Sequence, residues 1–197
     1  MNWIEHPAIL EGERVKLVPL DTEYFTDLVR VAGDQRIWEF ISAKCDTEEK
    51  AMNFLRSAVL KRGTGEQYPF VVIDKVSNKV IGHTMFHNML QVHKKLEIGS
   101  TWYDPAFWRT GYNRETKLLL MTFAFETMQA GRVQLQTDEN NHRSRAAILG
   151  IGATFEGIIR HDRIKDNGDY RNTAMYSVIS TEWDEVKAAL QQNILRK

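Results

Sequence analysis

Apolar residues recur with helical spacing before residue 65, alternate or run continuously between 70 and 103, and return to a helical period after 111. Val15 to Leu20 alternates and contains Pro19, which predicts a short edge strand. Asp21 then caps a helix predicted from about Thr22 to Val31. Asp46, with Glu49 three residues on, predicts the start of a second helix. Its apolar stripe is Ala51, Phe54, Leu55, Ala58 and Val59, and it ends near Gly63-Thr64-Gly65. Phe70 to Ile73, Val80 to Phe86 and Leu96 to Tyr103 predict three strands of an antiparallel meander, the first pair joined by Ser77-Asn78-Lys79.

A loop with Asp104-Pro105 leads into a long helix predicted from about Gly111 to Gln129 and ended by Gly131. Leu118, Leu119, Met121, Phe125 and Met128 cover much of its circumference, so it is expected to lie largely buried against the sheet. Val133 to Thr137 predicts a strand, Arg143 to Ile151 a short helix ended by Gly152, and Thr154 to Ile159 and Met175 to Ile179 two further strands around a polar loop at Asp166-Asn167-Gly168. A closing helix is expected from Thr181. The order is an α/β arrangement around a mixed sheet.

At 197 residues, 43% hydrophobic and 26% charged, with no low-complexity stretch, the chain is expected to be one folded unit with one main site. Lys+Arg and Asp+Glu both total 26, so nothing argues for nucleic acid or a membrane surface as partner. Cys45 is the only cysteine, which excludes an intramolecular disulfide and a multi-Cys metal site. With no signal-like start and no apolar run long enough for a bilayer, cytoplasmic residence is the expectation.

Chemistry concentrates in Trp108-Arg109-Thr110-Gly111-Tyr112-Asn113-Arg114-Glu115, between a strand and the start of the buried helix. A glycine loop feeding a helix N-terminus presents free N–H groups to an anion, and Arg109 and Arg114 can add charge-assisted bonds to a pyrophosphate. Gly111 as nothing more than a turn residue is the competing reading.

Leu96-Glu97-Ile98-Gly99-Ser100-Thr101-Trp102-Tyr103, this loop, Asn141-His142-Arg143-Ser144 and Gly152 to Gly157 together resemble the GNAT superfamily of N-acetyltransferases, in particular its ribosomal-protein-alanine (RimJ/RimL-type) branch. The resemblance implies a GNAT domain over residues 10–180, with 181–197 a C-terminal helix packed on it. The implied sheet is mostly antiparallel, of six to seven strands flanked by helices. Acetyl-CoA is the implied co-substrate, with no metal. The pantetheine arm would follow Trp102 and Tyr103, and the pyrophosphate would meet Arg109, Thr110, Gly111, Tyr112, Asn113 and Arg114, with Asn141 on the pantetheine amide.

Two positions depart from the family pattern. Asn113 stands where a second small residue is usual, as the non-glycine that best tolerates left-handed backbone angles. Ile148 stands where many members carry a tyrosine general acid.

Amide formation needs a neutral amine, and ordinary amines have pKa values of roughly 7.7 to 10.4, so a proton acceptor is required. Glu97 lies eleven residues before Trp108, the spacing at which the family's strand glutamate appears, so the resemblance makes it the expected base, and alternation places Glu97, Gly99 and Thr101 on one face. A merely structural carboxylate and deprotonation through water are its competitors. Ser144 is the expected donor to the departing thiolate, with helix N-cap its competing role. Trp38 and Phe40 border the acceptor cleft by resemblance. His83 and His87 flank Met85 on one strand but lack a third ligand, and Cys45 has nothing to activate it.

The implied function is transfer of acetyl to a primary amine, a protein N-terminus by resemblance. The alternatives are a small-molecule amine (polyamine, amino acid, antibiotic or peptide), a succinyl donor, or a non-catalytic CoA-binding module. A homodimer is admitted as an assembly.

Overall fold

The computed structural model describes residues 3–41, 44–165 and 167–195. Among these residues eight strands form one sheet in the order β1-β2-β3-β4-β5-β6-β8-β7. They are β1 (Leu10–Glu11), β2 (Val15–Pro19), β3 (Tyr68–Asp74), β4 (Lys79–Leu90), β5 (Lys95–Tyr103), β6 (Arg132–Asp138), β7 (Thr154–Ile164) and β8 (Tyr170–Ile179). The meander is present and every pairing is antiparallel except β5 with β6. The helices are α1 (Phe25–Ala32), α2 (Glu48–Gly63), α3 (Tyr112–Thr122), α4 (His142–Leu149) and α5 (Trp183–Leu195).

The strand count exceeds the expected six to seven because β1, only two residues long, covers β2 on its outer side. β2 is therefore not the edge strand its proline suggested. Leu20 N donates to Pro69 O of β3, so by alternation the proline nitrogen points the other way, past the end of β1, where no ladder bond is lost.

The sheet separates two cores. Leu17, Phe70, Ile81, Phe86, Leu96 and Ile98 pack with Leu120, Met121, Phe125 and Trp183 of the α3/α5 side. Val18, Val71, Ile73, Met85 and Trp102 pack with Leu28, Val31, Leu55 and Ala58 of the α1/α2 side. β3 is buried at all seven positions, which explains its unbroken apolar run.

Four local expectations change. Thr47, not Asp46, caps α2, accepting from Lys50 N at 3.3 Å, while Asp46 pairs with Lys50 Nζ at 2.8 Å. The long helix is α only to Thr122 and continues as a π turn, Phe123–Thr127. Its first turns bury Glu115, Thr116 and Lys117, whereas Leu118 and Leu119 are only half-buried. β7 and β8 run well past the predicted strands as a hairpin whose β7 half is exposed along nearly its whole length and so lacks an apolar signature. Of the loop between them, Asp166 lies outside the described residues, and Gly168 adopts φ +86°. Trp183 of the closing helix stacks on Phe125 at 5.0 Å and donates to Glu126 at 2.8 Å.

Candidate active site

β5 and β6 pair only over three residues, the last pair being Glu97 with Gln134. Beyond it β6 continues with β8, while β5 turns away with β4, leaving a wedge-shaped gap that closes at Glu97. The turn is a β-bulge: Ser100 has φ +46° and the register shifts between His83 and Met85. The bulge overturns the expected common face of Glu97, Gly99 and Thr101. Thr101 is carried to the α3 side, where its Oγ1 lies 2.8 Å from both Lys117 Nζ and Thr84 Oγ1. Trp102 lands on the α1/α2 side, stacked on His83 at 5.4 Å and 5.8 Å from Trp38. Tyr103 returns to the α3 side, where burial pushes its phenol above the ordinary range.

Glu97 is 1% exposed and sits in a cage of amides. Its Oε2 accepts from Asn88 Nδ2 at 3.0 Å and Gln134 Nε2 at 3.2 Å, and its Oε1 from Gln136 Nε2 at 2.5 Å. His87, its cross-strand partner, places Nε2 3.3 Å from Oε1 without hydrogen-bond alignment. The His87 ring lies over Gly99, where a Cβ would come within 2.2 Å of Nε2. Burial lowers the His87 pKa, against the opposing pull of Glu97. The sequence reading missed His87 as a partner because the bulge and turn set the register. Gln134 and Gln136 left a signal: two amides alternating with buried Val133 and Leu135 on a central strand.

At the open end of the gap, Asp104 caps the short turn Pro105–Phe107, and Trp108 donates to Tyr103 O at 3.1 Å. Arg109 (φ +62°) and Gly111 (φ +93°) are the left-handed residues of the loop, whereas Asn113 is helical, so its expected left-handed role is not used. Gly111 is the helix N-cap with no side-chain cap, which leaves the N–H groups of Tyr112, Asn113 and Arg114 directed out of the helix end. Arg14, which the sequence reading did not include, braces this loop. Its Nη1 donates to Thr110 O at 3.1 Å, its Nε pairs with Glu115 Oε2 at 3.2 Å, and its guanidinium lies over Tyr112. Glu115 also accepts from the backbone of Arg14 and Val15, anchoring α3 to β2.

Across the gap, Asn141 caps α4 by accepting from Ser144 N at 2.9 Å, so Ser144 is not the N-cap but the third residue of the helix, half-buried. Ile148 is buried in the α3-side core. Arg143 stacks on Trp108 with 4.1 Å between the guanidinium carbon and the ring centroid, which brings α4 against the loop. On the α1/α2 side Trp38 is 2% exposed and donates to Ala32 O, forming a wall behind Trp102, while Phe40 is partly exposed. His83 is committed to Ser100 O at 2.9 Å, and burial takes its pKa down to about 4. Burial likewise pushes the Cys45 thiol up to about 11. Among the described residues no group of three or more His, Cys, Asp and Glu is arranged to hold a metal ion, and no helix is long and apolar enough to cross a membrane.

Residues 14–154 match the family model described as an acetyltransferase (GNAT) domain. A Bacillus subtilis (strain 168) protein named "Putative ribosomal N-acetyltransferase YdaF" is 34% identical over 106 residues, which take in 54% of this chain and 57% of that protein, so the match spans little more than half of its length. The crystal structure of a GCN5-related N-acetyltransferase from Brucella melitensis superposes with a TM-score of 0.87 at 27% identity, covering 96% of this chain and 86% of that one. RimL, titled a ribosomal L7/L12 alpha-N-protein acetyltransferase, shares the fold with a TM-score of 0.79 at 19% identity, over 88% of this chain and 94% of its own.

Proposed function

The chain belongs to the GNAT acetyltransferase family, and on that premise we propose that it transfers an acetyl group from acetyl-CoA to a primary amine. Acetyl-CoA supplies the thioester carbonyl that the amine attacks. The observation that carries the reading is the wedge between β5 and β6, with a caged carboxylate at its closed end and an uncapped helix N-terminus at its open end. Trp102 and Tyr103 offer an unpaired strand edge to the pantetheine arm. The N–H groups of Tyr112, Asn113 and Arg114, framed by Arg109, Thr110 and Gly111, suit the pyrophosphate. Asn141 spends its carbonyl oxygen on the helix cap, which leaves its NH₂ to donate to a pantetheine carbonyl.

Glu97 marks the end of the wedge where the amine loses its proton, and Ser144 stands on the opposite wall to serve the departing sulfur. Among the described residues no activated nucleophile is placed for an acetyl-enzyme, and the reading is direct attack. The acceptor is a protein N-terminal amine, with Phe40 at the cleft border; the name of the Bacillus relative, a putative ribosomal N-acetyltransferase, supports a ribosomal acceptor without specifying which amine. A thiol-release assay with acetyl-CoA against peptides, free amino acids and polyamines tests it. Release with peptides alone supports the N-terminal acceptor. CoA binding without turnover on any amine leaves a binding module, and no CoA binding removes the reading.

A further inference from the structure

The amide cage around Glu97 creates a difficulty for its use as the direct base. Both carboxylate oxygens already accept hydrogen bonds, from Asn88, Gln134 and Gln136, and only 2% of the side chain is exposed. An amine reaching Glu97 would have to displace an amide donor in a closed space. His87 escapes the first restriction and, through its partly exposed ring, part of the second. Its side chain is 17% exposed, and its Nε2 is buried beside Glu97 Oε1 with no hydrogen-bond partner. The ring is seated over Gly99, next to the bulge where the wedge begins, and only glycine leaves it that room.

We propose that His87 is the catalytic residue that takes the proton from the acceptor amine, with Glu97 behind it as the positioning carboxylate. The inference rests on the acetyl-CoA reading above. In the transfer, the amine nitrogen forms the C–N bond while the thioester C–S bond breaks with its electron pair on sulfur. Of the two protons an ammonium acceptor loses, the first passes to neutral His87 and on to solvent, and the second ends on the sulfur. The charged groups around the ring suit this cycle. Glu97 of β5 favours the imidazolium, whereas burial, Arg163 of β7 and Lys117 of α3 favour the neutral ring that must be present before the amine arrives.

The test combines His87→Gln and Gly99→Ala with three measurements: calorimetric CoA affinity, the pH dependence of kcat/KM, and an NMR titration of the His87 ring in the ligand-free protein. Gly99→Ala keeps both titrating groups and displaces the ring, so it carries the test if His87→Gln fails to fold. The expected result is CoA affinity within about twofold of wild type, kcat lower by roughly 10²-fold or more, and loss of one ionisation from the profile. That ionisation should coincide with the NMR titration of His87 in the wild type and move to lower pH in Glu97→Gln. Wild-type turnover and an intact pH limb in either folded variant overturn the inference while leaving the reaction in place. Failure of the wild type to bind CoA is a different result and overturns the reading beneath it.

Discussion

Lys117 Nζ lies 2.8 Å from Thr101 Oγ1, within the core between α3 and the β5 bulge. Burial pulls its pKa to about 7, and among the described residues no carboxylate offsets that penalty. A buried lysine of this kind is a thermodynamic cost carried by the element that shapes the wedge.

Lys117→Met should therefore stabilise the protein. The folded-state pKa lies below the unfolded value of about 10.4, so between about pH 7 and 10 the unfolded chain binds the extra proton, and wild-type stability rises with pH through that window. Below pH 7 the penalty is fully present. The variant should gain about 2 to 4 kcal/mol at pH 7, after loss of the Thr101 hydrogen bond, and much less at pH 10. Urea unfolding at the two pH values measures this. An equal gain at both would mean that packing, not ionisation, separates the two side chains.

His83 works in the opposite pH range. It is fully buried, donates to the bulge carbonyl of Ser100, and has its pKa lowered to about 4 by burial. Unfolded histidine titrates near 6.5, so the unfolded state takes the proton first, and stability should fall as pH drops from about 6.5 to 4 and level off below. The loss is on the order of 3 kcal/mol. Replacing His83 by Gln should flatten that segment of the urea-midpoint profile. A profile that keeps its slope assigns the acid sensitivity to another group.

Gly111→Val tests the phosphate loop. The position has φ +93°, and a Cβ would come within 2.8 Å of Arg14 Nη2, so the variant strains the turn and moves the arginine that braces Thr110. CoA affinity should fall at least tenfold with the fold intact by circular dichroism. Arg14→Ala should fall in the same direction and by less. Unchanged affinity in folded Gly111→Val would remove the pyrophosphate from this loop.

The fold was legible because its signals are local. The meander, the apolar stripe of α2 and the buried β3 all follow from periodicity over a few residues. The turn at Gly111 into α3 was legible for the same reason, since the glycine and the helix start are adjacent in the chain. What escaped the reading depends on register. One residue at Ser100 reverses the faces of Thr101 and Trp102, and no composition rule locates such a bulge. The same offset decides that Lys117 meets Thr101, and a second irregularity, between His87 and Leu90, adjoins the pairing of His87 with Glu97. Arg14 lies 96 residues from its loop partner Thr110, beyond any sequence pattern.

Ser144 and Asn141 separate catalysis from capping. Asn141 supplies the cap, so Asn141→Ala should cost about 1 kcal/mol of stability as well as CoA affinity. Ser144→Ala removes no cap and should leave stability nearly unchanged while lowering kcat with little change in KM for acetyl-CoA. Wild-type turnover in Ser144→Ala would leave thiolate protonation to water.

Glu97 allows a sharper separation, because its cage can be rebuilt with the charge elsewhere. Glu97→Gln places an amide among three amide donors, so at least one hydrogen bond is lost and an N–H₂ is set against another donor. The cost should be about 1 to 3 kcal/mol of stability, alongside a kcat lower by roughly 10²-fold or more. Adding Gln136→Glu restores a carboxylate–amide bond between the same two positions with donor and acceptor exchanged. The double variant should recover most of the lost stability. It should not recover turnover, since the carboxylate no longer stands beside His87 Nε2 on β5. Unfolding curves and steady-state rates measured side by side decide the matter. If rate returns together with stability, Glu97 serves only to hold the closed end of the wedge, and proton removal does not depend on where its charge sits.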